Sequence, residues 1–422
     1  MKKRSKSLRM RLDGEIRRIK IYSSHEHYCP EEEYLAGRLD FTSLFGYLGY
    51  ALVSSGMSRE VLRQLRDSST PEDEKWNLFE PFRERVSNLE YFREIRIVLR
   101  DRFEINDLTR ATYRQAGESL RRVQQPGRYR QVLDASGIEY ALVDNCQFLR
   151  LPSLPSYDPA LFGQVWRDFW INPQFYRQNG VETVADGLAL IDRTIGYLAG
   201  HNTRAIKIAS AASGCCPLSF KKWDDAQVRT AFTLLMADTP VASIEATLPF
   251  KDTAVYRAVE AATQRGMMVQ IHTGMQSYAA GNPYFLKNLI DAFPDTPFDL
   301  FHAGYPYSGE LAVLAQWFPN VYGDLCWMAN VSQALTRRIL GEWLDMVPAH
   351  KILGFGSDHG FIENTYGYQV SAREIICDAM EEKVLSGRLE EDQAVVLARR
   401  LLRDNLRELL ESLSANGPAR IE

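Results

Sequence analysis

The sequence predicts an α/β protein, a (β/α)8 TIM barrel with a long helical insertion after strand 1, and two observations support this fold class. From about residue 138 onward, short apolar runs rich in β-branched residues alternate with amphipathic stretches, which is the pattern of a parallel sheet covered on both faces. About eight strand–helix units follow one another, and no GxGxxG or Walker-type loop follows any strand. A closed barrel is therefore favoured over an open doubly wound sheet.

The predicted strands can be placed in order along the chain. The first ends in His25-Glu26-His27, and the third is only loosely defined, near residues 161–169. The other six are apolar runs at residues 138–144, 204–209, 267–272, 298–302, 320–326 and 351–358. Helices are predicted between them at 252–266, where Gly266 provides the stop signal, and at 283–293 and 309–318.

Residues 30–137 have a different texture, mostly helical and strongly charged. Ser58 is a typical helix-capping residue, and residues 87–99 carry apolar side chains at helical spacing. We therefore expect residues 1–422 to form a single barrel with 30–137 as a helical insertion within it. The insertion is expected to cover part of the barrel mouth and set specificity, or else to form a subunit interface in a homo-oligomer.

Composition excludes several classes of protein. The 422 residues are 45% hydrophobic and 25% charged, as in ordinary globular proteins, and a net charge of -4 gives no footprint for nucleic acid. Six cysteines without a CxxC pair are expected to be buried thiols of a reducing compartment. The basic N-terminus lacks the apolar core of a signal peptide and is expected to be a solvated tail. We therefore predict a cytoplasmic protein without a membrane partner.

The chain has seven histidines, and four of them fall at the ends of predicted strands. His25 and His27 lie two residues apart on a strand, so both imidazoles point to the same side, as two nitrogen ligands of Zn²⁺ would. The catalytic ends of barrel strands converge on one mouth. The chemistry-bearing residues at these strand ends are, in order, His25, His27, Lys207, His272, His302 and Asp358.

This order resembles the amidohydrolase superfamily of metal-dependent barrel enzymes, and more closely its amidohydrolase 2 branch. The long helical segment after strand one also looks like the uronate isomerases of that branch. The segments that carry the resemblance are His25-Glu-His27, Ile206-Lys207-Ile208, Gln270-Ile-His272-Thr-Gly274, Phe301-His302-Ala-Gly-Tyr-Pro306 with Val321-Tyr-Gly-Asp-Leu-Cys-Trp327, and Gly354-Phe-Gly-Ser-Asp358.

Chemistry suggests a role for each residue. His25, His27, His272 and Asp358 would form a mixed nitrogen and oxygen site for Zn²⁺ or another divalent transition metal, with one position open. Asp358 would orient the activated water and accept its proton. His302 would polarise or protonate the substrate, since a histidine titrates near working pH.

Lys207 has two possible roles. In family members with two metals, the strand-four lysine is carbamylated and bridges them, and the strand-six histidine becomes a ligand. An unmodified lysine is a poor ligand at neutral pH because its amine is protonated. A single metal is common in the amidohydrolase 2 branch. We therefore favour one metal, with Lys207 as an electrostatic anchor for an anionic substrate.

Other residues are secondary candidates. Tyr305, Tyr307 and Trp327 either line a pocket or pack within loops. Arg373 would clamp a carboxylate or form an ion pair on a helix surface. Glu26 lies between two ligands and should face away from the metal.

The leading functional hypothesis is a metal-dependent hydrolase acting on a small, anionic amide, lactone or ester. The alternative keeps the metal but changes the reaction, to a uronate isomerase-like isomerase or a decarboxylase of the aminocarboxymuconate semialdehyde type. Fold and ligands are shared among these, so the sequence does not separate them. A third class, a non-catalytic binding barrel, predicts an eroded ligand set, and the six residues are intact.

Overall fold

The computed structural model describes residues 2–144, 154–214, 216–237 and 243–416. Within them, eight parallel strands form one sheet in which each strand pairs with the next along the chain. The predicted fold class is confirmed, including its loosely defined third strand. The strands are β1 (Ile21–Glu26), β2 (Ile138–Asp144), β3 (Phe162–Arg167), β4 (Thr203–Ile208), β5 (Met268–His272), β6 (Phe298–Phe301), β7 (Val321–Asp324) and β8 (Ile352–Leu353).

The barrel closes between its last and first strands. β8 pairs with β7 over only two residues, and the chain then continues beside β1. Ser24 N donates to Phe355 O at 2.9 Å, and Asp358 N donates to His25 O at 3.1 Å. This closure places Asp358 directly against the end of β1, although the segment that carries it is not part of a regular ladder.

Helices cover the outside of the barrel, as the alternating sequence pattern predicted. They are α1 (Lys2–Arg18) and, between or after the later strands, α9 (Pro173–Arg177), α10 (Val184–Ala199), α11 (Asp225–Met236), α12 (Leu248–Thr263), α13 (Lys287–Ala292), α14 (Ser308–Trp317), α15 (Met328–Val331), α16 (Gln333–Met346), α17 (Ile362–Leu385), α18 (Glu391–Arg399) and α19 (Asn405–Asn416). Short 3₁₀ segments lie at Phe169–Ile171, Glu245–Thr247, Met275–Gly281, Pro283–Leu286, His302–Gly304 and Ala349–Lys351, and a π-turn at Arg400–Asp404.

The insertion between β1 and β2 is helical and packs on the barrel. Its elements are α2 (Glu31–Ala36), a 3₁₀ turn (Phe41–Leu44), α3 (Leu48–Ser54), α4 (Arg59–Arg66), α5 (Glu72–Val86), α6 (Glu90–Phe103), α7 (Tyr113–Val123) and α8 (Arg128–Ser136). Ser58 accepts a hydrogen bond from Val61 N at 3.1 Å and caps α4, as the sequence suggested. A buried ion pair ties α8 to α17, because Nε and Nη2 of Arg128 each donate to one carboxylate oxygen of Glu363 at 2.8 Å.

Replacing Arg128 with Met should destabilise the protein strongly, because Glu363 would remain buried without its cationic partner. We expect the free energy of unfolding, measured in urea, to fall by about 3–5 kcal/mol. The double variant Arg128→Met/Glu363→Gln is the control and should recover much of the loss. Unfolding of the single variant at the wild-type urea concentration would contradict this assignment.

The N-terminal segment is not the solvated tail expected from its basic sequence. It forms α1, in which Leu8, Leu12 and Ile16 follow helical spacing on one face and are buried. Arg373 donates to Ile19 O at 2.7 Å and to Ile16 O, which satisfies carbonyls at the end of α1. Neither expected role of Arg373, a substrate clamp or a surface ion pair, is therefore seen, because its side chain is buried under α1.

Two further expectations concern the described residues only. No helix among them has the length and apolar character needed to cross a membrane. Cys326 and Cys377 are buried free thiols, Cys29 is a half-buried one, and Cys216 is buried. Cys146 and Cys215 lie outside the described residues.

Candidate metal centre

Four of the predicted site residues meet at the C-terminal ends of the strands. Lys207 Nζ, on β4, donates to His25 Nε2 at 2.6 Å. Asp358 Oδ1 lies 3.2 Å from His27 Nε2 and 3.7 Å from His25 Nε2. The two histidines of β1, the lysine of β4 and the aspartate after β8 therefore form one cluster.

The other two predicted residues form an adjoining pair. His272 ends β5, His302 follows β6, and His272 Nδ1 lies 3.0 Å from His302 Nε2. The pKa of His272 is held well below its usual value, first by burial and then by His302 and Lys207, while Asp358 opposes the shift. The charges of the first cluster thus act on His272, and all six residues share one electrostatic environment.

Hydrogen bonds assign the tautomers of His25 and His27. Gln270 Nε2 donates to Ser24 O at 2.8 Å, so Gln270 Oε1 faces His25 and accepts from its Nδ1–H at 3.0 Å. His27 Nδ1–H donates to the backbone oxygen of Asp144 at 2.7 Å. Each ring therefore carries its proton on Nδ1, which leaves the Nε2 lone pair of each directed at the cluster.

The tautomer of His272 is set by its hydrogen bond to His302. Cys326 O can only accept, so the 3.0 Å contact to His302 Nδ1 places a proton on that nitrogen. His302 Nε2 then accepts from His272 Nδ1–H, and the lone pair of His272 lies on Nε2. That atom is buried and has no hydrogen-bond partner within the described part of the chain.

These residues fit a divalent transition metal. Three imidazole Nε2 lone pairs and a carboxylate are the nitrogen and oxygen donors that Zn²⁺ takes in catalytic sites. The buried, unpartnered Nε2 of His272 would otherwise carry the free-energy cost of an unsatisfied polar atom. The backbone and amide oxygens that hold the opposite ring nitrogens are the outer contacts that orient histidine ligands.

The protonation states of His25 and Asp358 also suit metal binding. Burial lowers the pKa of His25 well below its usual value, and Lys207 and His27 lower it further. Burial raises the pKa of Asp358, but His27 and Lys207 outweigh it and hold that pKa well below the usual range. His25 is thus neutral and Asp358 is charged at neutral pH, as metal ligands must be.

Asp144 is a functional candidate that sequence reasoning missed. It ends β2, is buried, and has its Oδ2 3.9 Å from His25 Nε2 and 3.8 Å from His27 Nδ1, so these three residues form a group able to hold a metal ion. A sequence signal for this residue exists, because the predicted strand at 138–144 ends in this aspartate.

Two cations adjoin Asp144. Lys207 Nζ lies 3.8 Å from Asp144 Oδ2, and its side chain is only 2% exposed. Arg167, the last residue of β3, has its Nε 3.4 Å from the same oxygen and a side chain 37% exposed. Of these two positive groups, Arg167 is the one that solvent reaches.

The insertion contributes directly to the site through Tyr47. Its hydroxyl lies 2.6 Å from Asp358 Oδ2 and 2.7 Å from Asp358 O. The ring packs on Trp327, with centroids 4.6 Å apart. Asp358 has a left-handed backbone (φ 62°), which is costly for a non-glycine residue and needs such support.

Replacing Tyr47 with Phe should weaken metal binding, because Asp358 loses the donor that orients its carboxylate. We expect zinc affinity, measured by competition with a chelating dye, to fall by about 10- to 100-fold. Tyr50→Phe is the matched control, since Tyr50 stacks on Tyr47, is 61% exposed, and lies on α3, which begins directly after Tyr47. Equal affinities in both variants would contradict the role assigned to Tyr47.

Three of the secondary candidates, Trp327, Glu26 and Tyr305, have structural surroundings that can be described. Trp327 is buried and packs edge-on against His302, with centroids 5.4 Å apart. Glu26 is buried, accepts from Ser23 Oγ at 2.6 Å and contacts Ser357, so it serves the barrel wall and not the metal. Tyr305 joins Pro306 through a cis peptide bond beyond β6.

Comparison with known families places this site in a wider group. The family model described as Amidohydrolase matches residues 231–396, a segment that includes His272, His302 and Asp358. This segment, less than half of the chain, is the part that resembles the amidohydrolase family. Among curated proteins, the chain is 32% identical over 154 residues to Protein fluG of Emericella nidulans. That match covers 35% of the chain and 18% of fluG, so the chain spans less than a fifth of the relative's length.

Solved structures of the same fold extend over nearly the whole chain. The uronate isomerase of Thermotoga maritima has a TM-score of 0.76 at 14% identity, covering 96% of this chain and 97% of that one. The glucuronate isomerase of Caulobacter crescentus gives 0.73 at 15%, with 97% and 94% covered. A proposed metal-dependent hydrolase of Lactobacillus casei ATCC 334 gives 0.69 at 13%, with 96% and 99% covered. At these identities the likeness is one of fold.

Proposed function

We propose that this chain is a metal-dependent hydrolase that acts on a small, anionic amide, lactone or ester. The observation that carries the proposal is that Asp358 Oδ1 lies 3.2 Å from His27 Nε2 and 3.7 Å from His25 Nε2 at the barrel mouth, where β5 also ends in His272 with a buried, unpartnered Nε2 among the described residues. His25, His27, His272 and Asp358 would hold one ion, Zn²⁺ or another divalent transition metal. Asp144 lies close enough to His25 and His27 to assist them.

The chain's own residues then divide the chemistry. A bound ion of this kind polarises a carbonyl oxygen and lowers the pKa of water from 15.7 to about 7. Asp358 accepts the proton of the attacking water and returns it to the leaving group, as a base that then acts as acid. The Tyr47 hydroxyl donates to Asp358 Oδ2, whereas Oδ1 of the same carboxylate faces His27. Lys207 and Arg167 supply the positive charge that favours an anionic substrate.

An isomerase or decarboxylase is the second candidate. Its support is the likeness of fold to uronate isomerases over at least 96% of this chain, a span that includes the helical insertion. In that case the same ligands would hold the ion. Asp358 would move a proton between substrate carbons in an isomerase, or give a proton to the carbon that loses CO₂ in a decarboxylase. The metal site is common to both proposals, and only the reaction differs.

Turnover of carboxylate-bearing amides, lactones and esters in ¹⁸O-labelled water tests the reaction. Hydrolysis predicts one labelled oxygen in the carboxylate product. Conversion of a uronate without a change in mass would support isomerisation, and release of CO₂ would support decarboxylation. Metal analysis of the purified protein counts the ions per chain and identifies them.

The localisation and the partners expected from the sequence remain proposals. We propose a cytoplasmic protein that forms a homo-oligomer and acts on a small molecule, without nucleic-acid or membrane partners. Light scattering of the purified chain measures the assembly directly.

A further inference from the structure

We propose that His302 is a positioning residue that orients the metal ligand His272, and not the group that gives a proton to the substrate. The inference rests on the proposed metal site. It follows from where the two ring nitrogens of His302 are directed and from how the ring is enclosed.

Both nitrogens of His302 are used within the protein. Nδ1–H donates to Cys326 O, the backbone oxygen two residues after the end of β7, at 3.0 Å. Nε2 accepts from His272 Nδ1–H at 3.0 Å. A neutral imidazole has one donor and one acceptor, so no position is left for a substrate atom.

The ring of His302 is enclosed as well. The residue is 1% exposed, and its ring packs against Trp327 at 5.4 Å and against the ring of His272 at 4.4 Å. His272 is more exposed, at 8%. His302 is therefore less accessible to solvent than the ligand ring that it contacts.

The backbone holds His302 in this position at a cost. β6 ends at Phe301, and His302 and Ala303 then adopt left-handed backbone angles (φ 62° and 51°). Such angles in non-glycine residues persist only where surrounding contacts impose them. This sharp turn places the imidazole between the two neighbouring strands, with Cys326 O after β7 on one side and His272 at the end of β5 on the other.

The consequence is a relay of tautomers from the barrel wall to the metal. The Cys326 carbonyl selects the Nδ1–H form of His302, His302 Nε2 selects the Nδ1–H form of His272, and His272 Nε2 is left as the ligand atom. Loss of the acceptor on His302 would let the His272 ring rotate or exchange tautomers. Loss of such an outer contact costs about 10- to 100-fold in metal affinity.

Zinc affinity of two matched variants tests the relay. His302→Gln places an amide oxygen near the former Nε2 and keeps an acceptor for His272, whereas His302→Asn reaches only the former Nδ1 position. We expect dye competition to show about 10- to 100-fold weaker zinc binding for the Asn variant and near wild-type binding for the Gln variant. Equal affinity in both variants, with zinc bound by the wild type, overturns the inference and leaves the proposed function intact.

A measurement on the wild-type protein covers variants that fail to fold. With ¹⁵N-labelled histidine, the metal-free protein should show His302 as the neutral Nδ1–H tautomer with a non-protonated Nε2. A proton on His302 Nε2 would overturn the relay whatever the variants do. Absence of zinc binding by the wild type would count against the proposed function instead, and the tautomer would still decide the inference.

Discussion

Replacing His27 with Ala should remove most of the bound metal from the protein. His27 Nε2 faces Asp358 Oδ1 at 3.2 Å, and its tautomer is held by the Asp144 carbonyl, so the variant loses a ligand atom and not an outer contact. We therefore expect zinc affinity to fall by more than the roughly 100-fold that losing an outer contact costs. Metal analysis after dialysis, together with dye competition, measures the loss.

His201→Ala provides the control for this experiment. His201 is exposed and its Nδ1–H donates to the local backbone oxygen of Tyr197, so its removal should leave zinc content unchanged. Unchanged metal content in His27→Ala would contradict the whole site assignment. A fall in both variants would indicate a general effect of losing an imidazole.

Replacing Asp358 with Asn should abolish turnover while leaving much of the fold in place. Asn has nearly the shape of Asp but neither charge nor basicity, so proton transfer from the attacking water loses its acceptor. Loss of a general base typically costs about 10²- to 10⁴-fold in rate. The comparison requires the rate constant on the substrate found in the labelled-water panel, at equal zinc occupancy.

Asp252→Asn is the matched control for Asp358→Asn. Asp252 lies on α12, outside the metal centre, and its carboxyl is also buried, which raises its pKa to about 6. It accepts a hydrogen bond from Trp223 Nε1 at 2.8 Å. Its replacement should leave turnover close to wild type. A fully active Asp358→Asn protein would rule out the proposed base.

The sequence was sufficient for the fold and for the first choice of site residues. Strand ends in a parallel barrel converge on one mouth, so His25, His27, His272 and Asp358 could be grouped from their places on predicted strands alone. Pattern also located the helical insertion, because its charged, helix-period texture differs from the apolar strand runs. Local patterns carry these features because they depend on residues near one another in the chain.

Other features depend on contacts between distant segments. The burial of α1 under α17 and α18 reversed the expectation of a free tail, since a basic helix buries only the face that carries Leu8, Leu12 and Ile16. Tyr47 is 311 positions away from Asp358 in the chain, and no local pattern links the two. Asp144 became a candidate only when β1 and β2 placed its carboxylate beside two histidines.

The sequence by itself therefore determined the barrel, the order of its strands and the kinds of metal donor at their ends. Tertiary structure decided which nitrogen of each histidine is free, which residue holds Asp358, and that His302 is less accessible to solvent than His272. The physical reason is that a tautomer or a carboxylate orientation is set by hydrogen-bond partners. Those partners come from other strands and from the insertion, and only folding brings them within bonding distance.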